Sequence, residues 1–292
     1  MVYLKKRHNN LIGKLVFRLV KKHIAGSTNS SVLNVIRDLN KRGMHATVTL
    51  LNDHVGDPTK ARYNTNAYVQ FLKQLSRLRL NSDISIRASQ LGGRIDRELL
   101  ERNLGEIIDV AKTADQRLWI EQEPESKTGD TVALYRKFRP RFSNLGVEIN
   151  PTAEADGLAF SRLLSGRDLI KLRYNPKVGP ERKVDRLKLY RSYIDALTKR
   201  HASLTLLEHD QKLIERIMAV SKDYKRNLIF EIPLGYSQKL GRLKGKLKMS
   251  VYVPYGKDWI PYFINRLAEG RVRNLAVTLL DGKTGVNADE KG

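Results

Sequence analysis

A closed (β/α)8 barrel with an N-terminal helical extension is the fold class this chain predicts, and three observations predict it. Short apolar runs alternate with longer stretches of helical periodicity, the pattern of right-handed βαβ units and a parallel sheet. Eight such pairs follow one another in about 220 residues, the length that suits a closed barrel. No Gly-x-Gly-x-x-Gly turn follows the first run, where an open doubly wound sheet would hold a dinucleotide.

The elements are placed as follows. Apolar positions at helical spacing over 11–24, with Lys14, Arg18, Lys21 and Lys22 on other faces, predict an amphipathic helix. A second helix over 31–41 begins at a serine and stops near Gly43. Strands are expected at 46–51, 84–86, 118–120, 146–149, 169–172, 204–207, 228–232 and 250–253. Helical patterns fall between and after them, at 61–78, 95–114, 130–138, 153–164, 185–199, 211–220, 237–243 and 259–269. The domain reading is a basic extension over 1–43, the barrel over 44–280 and a polar tail over 281–292.

Composition narrows the chemistry. The 292 residues are 41% hydrophobic, enough for a sizeable core. There is no cysteine, which excludes disulfides, thiolate catalysis, cysteine zinc sites and iron–sulfur clusters. Lys14 and Arg18 interrupt the apolar pattern near the start, so neither a secretory signal nor a membrane span is expected there, and a soluble cytoplasmic protein is. The net charge of +23 is large for a metabolic enzyme and attracts polyanions, nucleic acid or an anionic membrane surface.

In a barrel of this kind function sits where the strands end. The residues expected there are Asn52, Arg87, Glu121, Asn150, Lys171, Arg173, Glu208, His209, Glu231 and Tyr252. Most are polar or charged, which fits either a site or a network of ion pairs. Glu121, Glu208, His209 and Glu231 also offer oxygen ligands and one imidazole for a divalent metal, although their spacing matches no metal motif.

The stretch Tyr252-Val253-Pro254-Tyr255-Gly256-Lys257-Asp258-Trp259-Ile260-Pro261-Tyr262-Phe263-Ile264-Asn265-Arg266-Leu267-Ala268-Glu269 closely resembles the C-terminal signature of the proline dehydrogenases, FAD enzymes on a (β/α)8 barrel. Further matches occur in the right order. Ile24-Ala25-Gly26-Ser27-Thr28 looks like the family's lead-in to the barrel, and Ser85-Ile86-Arg87-Ala88-Ser89-Gln90-Leu91-Gly92 like its SxKLTQLG segment. Residues 118–123 match a strand ending in an acidic pair. Leu169-Ile170-Lys171-Leu172-Arg173-Tyr174 occupies the place of LVKGAY, and Leu207-Glu208-His209-Asp210 resembles the segment carrying THD.

The resemblance implies roles. Lys171 stands at the KGAY lysine, and Tyr252 at the tyrosine packed near the substrate. Arg266 is the remaining member of an arginine pair for the substrate carboxylate, Asn265 replacing the other. Glu121 and Arg87 are same-charge replacements for an aspartate and a lysine. These make Lys171, Arg266, Glu121 and Tyr252 the catalytic candidates and Arg87, Asn150 and His209 the cofactor-binding ones.

Departures weigh against flavin chemistry. Asp168, next to Arg167, takes the place of an arginine that approaches flavin N5. Leu172-Arg173 replaces a small Gly-Ala pair and is expected to fill flavin space. Asn150 stands for a flavin-contacting glutamine, Glu208 for a threonine, and Glu231 and Leu234 for a glutamine and a tyrosine. From these and the net charge, the sequence is read as a barrel that has lost flavin chemistry, needs no cofactor, and binds structured RNA or the ribosome. The expected contacts are Lys5, Lys6, Arg7, Lys21 and Lys22, then Arg136, Lys137, Arg139 and Arg141 interleaved with Tyr135, Phe138 and Phe142, and finally Lys239, Arg242, Lys244, Lys246 and Lys248. The alternative is an active FAD-dependent dehydrogenase of proline or a related imino acid.

Overall fold

In a computed structural model the chain forms a closed barrel of eight parallel strands in sequence order. The structure describes residues 22–52, 55–123, 126–151, 162, 164, 167–175, 185–221, 228–236, 247–259 and 262. The strands are β1 His45–Leu50, β2 Ser82–Arg87, β3 Leu118–Glu121, β4 Leu145–Ile149, β5 Leu169–Leu172, β6 Ser203–Leu207, β7 Leu228–Pro233 and β8 Lys248–Tyr255. β8 closes on β1, with Ala46 opposite Val251 and Leu50 opposite Tyr255. Each expected strand is found, most of them longer by one or two residues at one or both ends.

Among the described residues the helices are α1 Asn29–Lys41, α2 Pro58–Arg77, α3 Arg97–Thr113, α4 Thr128–Phe138, α5 Arg186–Thr198 and α6 Gln211–Val220. Most start where a short polar side chain accepts the first free backbone N–H groups: Thr28 from Ser31, Asp57 from Lys60, Asp96 from Leu99, Asp185 from Leu187 and Lys188, and Asp210 from Leu213. The helix expected over 237–243, most of those over 11–24, 153–164 and 259–269, and the polar tail lie outside the described residues. No helix among the described residues is long and apolar enough to cross a membrane.

Strand alternation sorts the side chains into two compartments. Val48, Ile84, Ile86, Ile120, Val147, Ile170, Leu172, Leu206, Phe230, Val251 and Val253 belong to one buried apolar cluster, together with Ile36, Phe71, Leu72, Ile107, Tyr135 and Ile194 from the helices. The main core therefore lies between strands and helices. The other strand faces supply Thr47, Thr49, Asp83, Ser85, Trp119, Glu121, Glu148, Lys171, Thr205, Glu231, Ser250 and Tyr252, all buried. Barrel interiors are usually filled with bulky branched side chains. This one is polar, with Trp119 as its widest plug. The plug needs Gly146 on the neighbouring strand, since a Cβ there would lie 2.5 Å from the indole ring.

The two ends of the interior differ. At the N-terminal end a cavity of about 470 Å³ is lined by His45, Thr47, Asp83, Arg117, Trp119 and Ser250, among others. Asp83 there accepts from Trp119 Nε1 at 2.9 Å and Arg117 Nη1 at 3.5 Å, and lies 2.8 Å from His45 Nε2. The candidate residues of the strand ends sit at the opposite, C-terminal end.

Candidate active site

Glu121 ends β3 and is fully buried, its position set by three strands. Arg87 Nε, ending β2, donates to its Oε2 at 3.1 Å, and Tyr252 Oη, from β8, donates to its Oε1 at 2.9 Å. Arg173, just past β5, places Nη2 3.8 Å from the same carboxylate. Burial pushes the Glu121 carboxyl upward. The charges of Arg173, Arg87 and Lys171, with the Tyr252 hydrogen bond, outweigh it and hold the group down at about 2. Burial first, and then the Glu121 charge, push the Tyr252 hydroxyl well above its ordinary value, so the phenol stays protonated.

One layer deeper, Lys171 is wholly enclosed. Its Nζ donates to Glu231 Oε1 at 2.9 Å and lies 4.6 Å from the centre of the Trp119 ring. Beside it on β4 is Glu148, 2.6 Å from Arg173 Nη2. Neither Glu148 oxygen has a hydrogen bond of good geometry among the described residues, so the contact with Arg173 is one of charge. Burial pushes this carboxyl up. Arg173 and Lys171 pull it back, the charges of Glu121 and Glu231 add to the rise, and it settles at about 7.

The rim residues have structural ties. Asn150 follows β4; its backbone N–H donates to Gln122 Oε1 and its Oδ1 accepts from the Asn175 backbone, both at 2.8 Å. Glu208 follows β6 and accepts from Arg186 at 3.0 Å and from the backbone of His209 and Asp210. His209 lies against Tyr236, with ring centres 4.6 Å apart. Gln90, in the SxKLTQLG-like segment, fastens the ends of β1 and β2 to α2 by donating to the Leu50 carbonyl and accepting from Tyr68, both at 2.6 Å.

The structure thus brings Lys171, Glu121, Tyr252 and Arg87 together, with Asn150 and His209 on the same rim. Arg266 lies outside the described residues, as does Asn265. Sequence reasoning passed over Glu148 and Trp119. The signal for Glu148 was an acid between Val147 and Ile149 in an otherwise apolar strand. Trp119 hid in an apolar run whose inward face only the register reveals.

Two expectations about the site are corrected. Asp168 is not at the C-terminal end of the barrel. It precedes β5, accepts from Tyr135 Oη at 2.5 Å and lies 3.6 Å from Arg139 Nε, so it serves the opposite end. Leu172 does not face the interior either, because alternation turns it outward into the core under the helices. The proposed metal set also fails: among the described residues no group of three or more His, Asp or Glu side chains is placed to hold a metal ion. Glu121 and Glu231 are engaged by cations inside the barrel and Glu208 by Arg186 at its rim.

The chain is 28% identical over 269 residues to proline dehydrogenase 2 of Bacillus subtilis, covering 87% of each protein. Proline dehydrogenase 1 of the same organism is 26% identical over 270 residues, again with 89% of each covered. The chain resembles the proline dehydrogenases along nearly its whole length. No family model matches it. Proline dehydrogenase of Deinococcus radiodurans is 20% identical over 271 residues. Among solved structures, proline utilization A (PutA) from Bdellovibrio bacteriovorus, inactivated by N-propargylglycine, shares the fold with a TM-score of 0.75 at 15% identity. That match covers 95% of this chain and 35% of PutA, so the chain spans about a third of that protein's length.

This similarity to proteins named proline dehydrogenase, which runs along nearly the whole chain, overturns the reading of a nucleic-acid-binding barrel without flavin chemistry or cofactor. The geometry removes the physical grounds of that reading as well. Tyr135, Phe138 and Phe142, expected to stack on bases, are buried in the core. Their interleaved cations are spent on acids: Lys137 on Glu101 at 2.6 Å, Arg141 on Asp109 at 3.4 Å and Arg139 on Asp168. Arg136, Lys22 and Lys248 are exposed, whereas Lys5, Lys6, Arg7, Lys21, Lys239, Arg242, Lys244 and Lys246 lie outside the described residues.

The FAD that the family resemblance implies can be tested against the residues present. An uncompensated acid at the mouth would oppose the negative charge of a reduced flavin. Each interior acid here has a cation: Glu121 has Arg87, Glu148 has Arg173 and Glu231 has Lys171. Arg173 bends inward to these acids instead of lying across the mouth, and Asp168 is at the far end. The described residues fit the group.

Proposed function

We propose that this chain is an FAD-dependent dehydrogenase of proline or a related cyclic imino acid. The observation that carries the reading is the similarity to the two Bacillus subtilis proline dehydrogenases over nearly the full length of both partners. The convergence of Arg87, Glu121, Lys171 and Tyr252 at one end of the barrel supports it.

Arg87, Asn150 and His209, at the ends of β2, β4 and β6, are the residues we assign to holding the cofactor. Bound FAD supplies the hydride acceptor for the carbon beside the ring nitrogen. The chain's own residues prepare the ligand. Glu121, ionised because Arg173 and Arg87 hold its charge, presents an anion to a cationic ring nitrogen. Tyr252, kept protonated, fixes the orientation of that carboxylate through its hydroxyl. Lys171 holds a positive charge below the site, where its pairing with Glu231 keeps it in place. Arg266 is assigned to the substrate carboxylate on the family's pattern.

The test is reconstitution with FAD, followed by anaerobic addition of proline and of ring-size homologues. Stoichiometric visible flavin bands that bleach with one of these imino acids are the expected result. A protein that gains no flavin, or whose bound flavin none of them bleaches, overturns the reading.

A further inference from the structure

The cavity at the N-terminal end of the barrel has no part in the dehydrogenase reading, because the reaction in such barrels takes place at the other end. Its volume is about 470 Å³. Small-molecule sites run from roughly 300 to 1,000 Å³, so the cavity is large enough for one. Its walls are mostly polar. Three strands supply hydroxyls: Thr47 from β1, Thr205 from β6 and Ser250 from β8, with Thr47 and Ser250 hydrogen-bonded to each other at 3.2 Å. Gln116, half-buried just before β3, stands at the margin.

Two buried polar groups of the lining have hydrogen-bonding capacity left. Glu231, wholly buried on β7, accepts from Lys171 through Oε1. Its Oε2 lies 2.9 Å from the same ammonium but takes no hydrogen bond of good geometry among the described residues. Arg117 reaches Asp83 through Nη1 at 3.5 Å, while its buried Nε donates to nothing among the described residues. One acceptor and one donor are thus left open on a single cavity. Buried polar atoms of this kind call for a partner, either ordered water or a ligand group. The buried charges themselves are engaged, Asp83 with His45 and Arg117, and Glu231 with Lys171. An ionic ligand would have to compete with those pairs, whereas a neutral hydroxyl, which both donates and accepts, serves the open acceptor and the open donor without disturbing them.

We propose that this cavity binds a small neutral polyol, a sugar alcohol or a monosaccharide. Water would otherwise occupy a polar space of this size. A polyol displaces several such waters at once, and its hydroxyls reproduce their hydrogen bonds, the condition under which displacement does not lose affinity. Glu231 accepts from one ligand hydroxyl and Arg117 Nε donates to another. Thr47, Thr205 and Ser250 donate or accept as each neighbouring hydroxyl requires. Trp119 and Ile229, also on the lining, give the ligand's C–H groups apolar surface. The site is at the opposite end from the mouth, so the inference does not depend on the dehydrogenase reading.

The test titrates the full chain, with FAD added and glycerol kept out of the purification, with xylitol and separately with glucose. Binding is read from the saturable transfer of magnetisation from protein to ligand in NMR. Saturation by at least one of the two is expected, and the arm that saturates distinguishes sugar alcohol from monosaccharide. Excess proline should not displace it. Thr205→Val, which removes a hydroxyl, should weaken binding about fivefold. Gln116→Trp, at a half-buried position where folding is not at stake, should occlude the cavity and weaken binding about tenfold or more. Failure of both probes to saturate leaves the cavity to water and overturns the proposal. So does displacement by proline, which would put the polyol at the mouth, and so does wild-type affinity in both variants.

Discussion

The two ends of the barrel interior are both polar, yet they are built on opposite plans. At the N-terminal end, Asp83 sits among donors: His45, Trp119 and Arg117 all reach it. Toward the C-terminal end three acids and three cations of the described residues crowd together, Glu231 lining the N-terminal cavity as well, and one acid, Glu148, lacks any hydrogen bond of good geometry among them. An acid surrounded by donors contributes stability and uniqueness, whereas crowded like charges move proton affinities toward neutrality and mark sites of chemistry. The lesson is that polarity inside a barrel does not by itself locate chemistry; the crowding of like charges does.

The largest effect should come from breaking the enclosed pair. Lys171→Met leaves Glu231 buried without its cation and should cost about 3–5 kcal/mol of stability, read from urea midpoints at constant m. Adding Glu231→Leu should restore most of that loss, and a double variant no better than the single one would show that the pair is not a unit. Glu148→Gln is next and has the opposite sign. A carboxyl raised from its ordinary 4.5 to about 7 makes the folded state bind more protons than the unfolded one, so stability falls as pH rises between those values. Removing it should leave stability unchanged near pH 4.5 and raise it by about 3 kcal/mol above pH 7, at 1.36 kcal/mol per pH unit. A variant no more stable than wild type at pH 8 would contradict the crowding described above.

Changes at the other end should be smaller and should leave imino-acid affinity alone. Asp83→Asn removes charge-assisted partners from His45 and Arg117 and should cost about 2 kcal/mol at pH 6. It should not alter the affinity for proline. The smallest effect concerns His45. Burial opposes its proton, but the hydrogen bond and charge of Asp83 win and raise it above its ordinary 6.5. Its stabilisation is therefore fully present below pH 6.5 and is lost as pH rises through the higher folded value. The stability gap between wild type and His45→Gln should close, by about 1 kcal/mol or less, between pH 6 and pH 9. A gap that widened with pH would reverse the assignment.

The fold was legible because apolar runs and helical patterns alternate in register with the barrel, and β5 and α6 were placed to the residue. Strand-end residues such as Arg87, Glu121 and Tyr252 were legible too, through the order of the motifs. What failed was inference from substitution. Asp168 and Leu172 counted against flavin chemistry because the motif places them beside it, yet position along a strand decides which end a side chain serves, and alternation decides which face. The acids were misjudged for a related reason. Glu231 looks adverse alone and is neutral beside Lys171, sixty residues earlier in the chain. Such compensation crosses strands distant in sequence, so no local pattern announces it. Net charge misled in another way: Lys137, Arg139 and Arg141 are cations in composition but are paired with acids in space.

Trp119 separates the two ends, its indole N–H bound to Asp83 on one side and its ring face turned to Lys171 on the other. The chain has two tryptophans, and the second, Trp259, packs near Tyr252 and Tyr262. With Trp259→Phe in place, the remaining indole becomes a built-in optical probe at the centre of the molecule. Its emission would register titration of the lower cluster and ligand arrival at the upper one, without any label attached.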